Sequence, residues 1–185
     1  MSGDKLLVRR RMGELRRAVG PDARKGLLGA LERALRDERR VLTLGVYSPI
    51  GSEPDAGEVF ARWVREAPGR SLALPWCLNR DASEMEYRRW MPGEPLASDA
   101  AGIAAPTGPR VVPDALVIPC LGWSRARRRL GYGGGYFDRY IARVMQTNCS
   151  PRLLGLGYGV NEVEESIFET HDLPLDLIIT DAGVF

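Results

Sequence analysis

"DALVIP", residues 114–119, runs four apolar residues together with no polar alternation, as a strand buried on both faces does. A strand of that kind needs cover on each side, and the rest of the chain supplies it. "VLTLGVYSP" (41–49), "SLALPW" (71–76), "RLLGLGY" (152–158) and "LDLIIT" (175–180) are further apolar strands. Between them lie segments with helical spacing. Leu27, Leu28, Leu31 and Leu35 mark a helix over 22–38, "DAGEVFARWVREA" (55–67) is amphipathic, and another helix is expected from about 136 to 147. At the start, 4–18 places Leu6, Leu7, Met12 and Leu15 near one stripe, with Asp4 as N-cap and Gly20-Pro21 as the stop. "EMEYRRW" (84–90) reads as an edge strand, and five prolines make most of the rest of 77–113 loop. "NEVEESIF" (161–168) reads as a short helical turn. Strands alternating with helices predict one α/β domain over 1–185, a mostly parallel sheet flanked by helices. Ligands in such folds gather at the carboxyl ends of the strands, where Ser48–Asp55, 120–138 and the turn at Asn161 fall.

Composition narrows the classes. The 26 basic and 24 acidic residues leave a formal charge of +2, too slight by itself to point to nucleic acid. Cys77, Cys120 and Cys149 are isolated, without CxxC or metal-ligand spacing, which fits a reducing compartment. Charges within the first five residues and the lack of a long apolar run set the expectation of a soluble cytoplasmic protein that crosses no membrane.

The segment rich in chemistry is "RRRLGYGGGYFDRY" (127–140), with four glycines in the five residues from Gly131 to Gly135. It is no Walker A loop, since no Gly-Lys-Ser/Thr follows, and Tyr136 stands where a dinucleotide fingerprint needs its last glycine. Bare backbone lets successive N–H groups converge on phosphate oxygens, and the following helix offers its positive end at the same place. Arg129 before the loop and Arg139 after it are placed to neutralise added charge. Loop composition alone leaves a phosphate cradle and an empty surface hairpin equally open. Asp138 is read either as a helix-dipole partner or as a Mg²⁺ ligand.

Together with "KLLVR", "YSPIGSEPD", "ALPW", "GIAAP" and "HDLPLDLIITDAGV", this loop closely resembles the 5-formyltetrahydrofolate cyclo-ligase (methenyltetrahydrofolate synthetase) family, in order along nearly the whole chain. The resemblance implies a three-layer α/β fold akin to the sugar-phosphate isomerase and CoA-transferase group. It also implies ATP-dependent conversion of 5-formyltetrahydrofolate to 5,10-methenyltetrahydrofolate with Mg²⁺, in a monomer acting on small molecules. By the same resemblance, Lys5, Arg9 and Arg129 contact ATP phosphates, and Gly131, Tyr132, Gly133, Gly134, Gly135, Tyr136 and Phe137 form the ATP-binding loop. Asp138 and Asp172 hold the metal. Glu53 binds the folate, joined by Ser48, Tyr132, Gly133, Gly134, Gly135 and Tyr136, while Glu53, Arg129 and Tyr136 are the expected catalytic groups. His171, the only histidine, is assigned no role.

Several positions depart from the family pattern. Trp123-Ser124 replace a usual Phe-Asp, Arg127 a glycine, Ala104 and Ala105 a Pro-Glu pair, Ala101 an aromatic, Asn161 a glutamine and Phe137 a tyrosine. Two alternatives follow: a nucleotide-binding relative with altered or lost folate activity, or a single-strand nucleic-acid platform made of "RARRR" (125–129) with Trp123, Tyr132 and Tyr136. The acidic positions Glu53, Asp138 and Asp172 weigh against the second.

Overall fold

The computed structural model describes residues 3–147, 149–169 and 172–185, so His171 lies outside the described residues. Among the described residues, four helices and twelve short strands follow one another. They are α1 (Gly3–Arg17), α2 (Pro21–Asp37), β1 (Thr43–Gly45), α3 (Gly57–Arg65), β2 (Ser71–Asn79), β3 (Glu84–Trp90), β4 (Leu96–Ser98) and β5 (Ala104–Pro106). Then come β6 (Arg110–Val111), β7 (Ala115–Pro119), β8 (Gly122–Trp123), β9 (Arg129–Leu130), α4 (Tyr136–Met145), β10 (Arg152–Leu156), β11 (Leu177–Thr180) and β12 (Gly183–Val184). Two 3₁₀ turns, Gly159–Asn161 and Glu165–Ile167, occupy the segment read as one helical turn.

The main sheet has eight strands in the order β12-β11-β10-β7-β1-β2-β3-β6. β11, β10, β7, β1 and β2 run parallel, while β12, β3 and β6 pair antiparallel at the flanks. The expected 84–90 edge strand is therefore one place in from the edge, because Arg110 and Val111 add a further partner outside it. β7 is buried along its whole length, as its sequence predicts. Val117 joins one core with Leu44, Leu72 and Leu154 under α2 and α3, and Leu116 and Ile118 join the other under α4. Each such fully buried aliphatic side chain contributes about 1.5–3 kcal/mol of burial free energy. The chain passes from β1 to β2 on one side and later returns to β7 on the other, so strand order reverses beside β1. At such a reversal, the loops leaving neighbouring strands diverge and open a crevice.

Local causes explain the element ends. Pro21 at the first turn of α2 loses no hydrogen bond, and Gly20 serves as its N-cap. Asp114 Oδ2 accepts from the N–H groups of Leu42 and Thr43 at 2.9 and 2.7 Å, tying the entry of β1 to that of β7. The first helix corrects two expectations. Asp4 lies inside its first turn and does not cap it. Leu6 and Leu7 are 62% and 56% exposed, while Met12 and Arg16 are buried. The inward stripe is Lys5, Arg9, Met12 and Arg16, because this helix packs toward a polar site and not toward the apolar cores. Among the described residues no helix is long and apolar enough to cross a membrane.

Candidate active site

The segment after β7 folds as the β8–β9 hairpin, where Gly122 pairs with Leu130 and Trp123 with Arg129. This places Arg129 immediately before the glycine loop and 8% exposed at its side chain. Gly133 has φ +96° and Gly135, the N-cap of α4, has φ +71°, conformations that a side-chain-bearing residue adopts at a cost. Three arginines surround the loop. Arg9 Nε donates to Gly131 O at 2.8 Å, Arg139 Nη1 donates to Gly134 O at 3.0 Å, and Arg129 Nη2 pairs with Asp138 Oδ1 at 2.6 Å. The Arg129 guanidinium also lies 5.4 Å from the centroid of the Phe137 ring. Among the described residues, the N–H groups of Tyr132 to Gly135 have no protein acceptor. Backbone amides without a protein acceptor, with cations beside them, suit a phosphate chain.

The loop forms one wall of a cavity of about 380 Å³, within the range of small-molecule sites. Ser48 and Glu53, from the turn after β1, line the same cavity, as do Pro75 and Cys77 of β2. Glu53 Oε2 accepts from the Ile50 N–H at 2.8 Å. Burial raises the Glu53 pKa, and the Ile50 N–H and the positive charges of Arg16 and Arg129 only partly oppose the rise. Tyr136, on the first turn of α4, donates to Arg80 O at 3.3 Å and lies 3.9 Å from Cys77 Sγ. Asp99 braces the remaining side: Oδ1 accepts from the Ala101 and Ile103 N–H groups, and Oδ2 from the Cys77 N–H. Ala101 lines the cavity.

Among the residues singled out from the sequence, Ser48, Glu53, Arg129, Gly131 to Gly135, Tyr136, Phe137 and Asp138 share this one cavity, Tyr132 with them. Arg9 reaches the loop from α1. Lys5 and Asp172 are not among the lining residues: Lys5 Nζ pairs with Glu169 at 3.0 Å and with Asp172 Oδ2 at 3.2 Å. Burial lowers the Lys5 pKa, and the two carboxylates outweigh it to leave a net rise. Among the described residues no three His, Cys, Asp or Glu side chains gather as a metal cage. A lone, 68% exposed Asp138 beside a phosphate cradle nonetheless fits Mg²⁺, which takes one or two carboxylates together with substrate phosphates.

Five altered positions, Ala105, Trp123, Ser124, Arg127 and Asn161, are not among the residues that line the cavity. Trp123 is buried, stacks on Phe185 with centroids 4.9 Å apart, and donates from Nε1 to Tyr158 O. Ser124 is buried as well. Asn161 is fully buried and donates from Nδ2 to Met12 O at 2.9 Å, docking α1. The nucleic-acid alternative loses one of its rings: Trp123 is buried and has no face to offer a base. In the arginine run, Arg125 pairs with Glu162, Arg128 with Glu165 and Arg129 with Asp138. A larger groove of about 600 Å³ beside α1, between Arg11 and Glu165, contains none of these cavity groups. Sequence reasoning missed Asp99 and Arg16, since a bracing aspartate and an inward arginine look like any other charge on the page.

The model of the 5-formyltetrahydrofolate cyclo-ligase family matches residues 1–181. A probable 5-formyltetrahydrofolate cyclo-ligase of Schizosaccharomyces pombe is 26% identical over 131 residues, which span 63% of this chain and 64% of that one, under two thirds of its length. The 5-formyltetrahydrofolate cyclo-ligase of Haemophilus influenzae is 30% identical over 153 residues, 78% of this chain and 79% of that one. In fold, the chain is similar to the 5,10-methenyltetrahydrofolate synthetase of Aquifex aeolicus, with a TM-score of 0.77 at 24% identity, covering 97% of this chain and 91% of that one.

Proposed function

The chain belongs to the 5-formyltetrahydrofolate cyclo-ligase family, and from that premise we propose that it converts 5-formyltetrahydrofolate and ATP to 5,10-methenyltetrahydrofolate, ADP and phosphate. The observation that carries this reading is one cavity lined both by the glycine loop and by the half-buried carboxyl of Glu53. Its size supports small-molecule substrates, handled by one domain that we take to be a cytoplasmic monomer.

A formamide carbon resists attack by a neighbouring amine because its oxygen is a poor leaving group. Transfer of the γ-phosphoryl group to that oxygen removes the obstacle. N10 then bonds to the formyl carbon and loses its proton, while the formyl oxygen leaves as part of phosphate. Little covalent chemistry falls to the protein; positioning and charge neutralisation carry the catalysis. The amides of Tyr132 to Gly135, with Arg9, Arg129 and Arg139 around them, hold the phosphates. Lys5, a turn before Arg9, serves the outer end of the chain once drawn from its carboxylate partners. Phosphate oxygens compete with Asp138 for Arg129, which frees that carboxylate at the mouth of the cradle. Mg²⁺, which Asp138 and Asp172 would hold, would supply charge neutralisation for the phosphoryl transfer. Glu53 accepts hydrogen bonds from the folate and aligns its reacting nitrogens, with Ser48, Tyr132 and Tyr136 along the ring.

The test is spectrophotometric. Purified protein with Mg-ATP and 5-formyltetrahydrofolate should develop the absorbance of the methenyl product, and Asp138→Ala should abolish it. Nucleotide binding without product would instead support a divergent nucleotide-binding relative, a reading that Ala101 in the cavity wall favours.

A further inference from the structure

Nothing in the proposed reaction uses Arg16, yet its guanidinium is buried, with the residue 2% exposed. It lies in the last turn of α1 and is not among the residues that line the cavity. Nε donates to Ser52 Oγ at 3.0 Å, Nη2 donates to the Tyr132 hydroxyl, and Nη1 has no partner. The guanidinium carbon sits 5.2 Å from the Tyr132 ring centroid. Ser52 immediately precedes Glu53, and Tyr132 stands between Gly131 and Gly133 in the phosphate loop, half exposed on the cavity side. Among the described residues no hydrogen bond joins the 48–55 turn to the glycine loop directly. One side chain from a third element therefore bridges the two walls. Burying a guanidinium without a hydrogen-bonded carboxylate is costly, and burial does lower the Arg16 pKa, so a return on that cost is expected. Arginine suits the task because its planar fork reaches two acceptors at once, where a lysine offers a single point. The neighbours of Tyr132 are glycines without side chains, so its ring is the handle by which the loop can be held.

We infer that Arg16 is a positioning residue: it clasps Tyr132 of the phosphate loop to the Ser52–Glu53 turn, so that the two walls of the cavity move as one and occupancy of the first orders the second. The inference rests on the proposed reaction for the identity of the two ligands, though not for the clasp. Coupling of this kind follows whenever one ligand prepays the ordering that another requires.

Two variants test it. Tyr132→Phe removes one hydroxyl and is the mild change; Arg16→Met removes the cation and identifies its signals by difference. In the free protein, ¹⁵N spectra of the guanidinium groups should show Arg16 with slowed Nη rotation, and Tyr132→Phe should restore fast rotation. Fast rotation already in the wild type would overturn the clasp. Mg-ADP, as the probe of the loop wall, should shift backbone resonances of residues 50–53 in the wild type and no longer in Tyr132→Phe; shifts that persist would overturn the transmission. In turnover, Arg16→Met, which removes no residue lining the cavity, should raise the KM for 5-formyltetrahydrofolate about tenfold through loss of the clasp, with kcat within about threefold. An unchanged KM with a fallen kcat refutes the positioning role. If the wild type makes no product, the reaction proposal fails by itself and the free-protein spectra still decide the clasp.

Discussion

Gly133 and Gly69 offer a matched pair that separates what the glycine loop does for the fold from what it does for a ligand. Both have positive φ, +96° at Gly133 and +82° at Gly69. A Cβ placed on Gly69, in the exposed turn after α3, meets nothing within 4 Å, and one placed on Gly133 has the Arg9 guanidinium as its nearest neighbour, at 3.5 Å. Packing therefore penalises neither alanine. The backbone does: left-handed φ costs a non-glycine residue roughly 1–2 kcal/mol, offset by about 0.4–1 kcal/mol through the stiffer unfolded chain. Each variant should lose about 1 kcal/mol, a fall in Tm of roughly 2–4 °C for a chain of this size. Only Gly133→Ala adds a methyl between the loop and Arg9, where phosphate oxygens must come within about 3 Å of both. Its affinity for Mg-ADP, measured by calorimetry, should drop at least about tenfold, or ~1.4 kcal/mol, with Gly69→Ala unchanged. Equal melting points combined with wild-type Mg-ADP affinity in Gly133→Ala would refute the cradle: the glycine would then serve the turn alone.

Further outcomes follow from single groups. Burial raises the Glu53 pKa; a carboxyl so raised favours the fold while protonated, below the ordinary carboxylate pKa, and that contribution is lost as pH rises through the folded value. Glu53→Gln should therefore melt at or above the wild-type temperature at pH 7, with the gain shrinking toward pH 4, while product formation falls; a lower melting point at pH 7 contradicts the sign. Asp114→Ala removes the acceptor of two N–H groups at the head of β1 and should cost about 1–2 kcal/mol in thermal melts, with nucleotide binding retained.

How far the sequence revealed the fold depended on the length of each pattern. Residues 114–119 and 175–180 are long enough for an apolar run to mean a buried strand, and Leu27, Leu31 and Leu35 fix the inward face of α2 as the structure has it. Ala104–Pro106, Arg110–Val111 and Gly183–Val184 are two or three residues each. No period exists at that length, and their pairing is decided by partners distant in sequence. The first helix failed differently. A stripe of leucines predicts an inward face only if the helix covers an apolar core, and α1 instead covers a charged loop.

The same physics bounds what could be read of the site. A glycine run frees φ and leaves room for a ligand, so Gly131 to Gly135 announce themselves as letters, and a motif carries Glu53 and Asp138 along with them. Arg16 carries no such mark: in "VRRRMGELRR" it is one of five arginines, with nothing local to separate the buried one from those in solvent. Its burial follows from three elements meeting, since α1 is docked by Asn161 on Met12 O while Ser52 and Tyr132 close over the guanidinium from two loops. Helical phase gives one test after the fact. Lys5, Arg9, Met12 and Arg16 recur at intervals of four, three and four, the spacing of a single face. Once the resemblance places Lys5 and Arg9 toward the nucleotide, the same face must bring Arg16 inward two turns later, and a cation brought inward there needs acceptors. The turn after β1 and the phosphate loop are where it finds them.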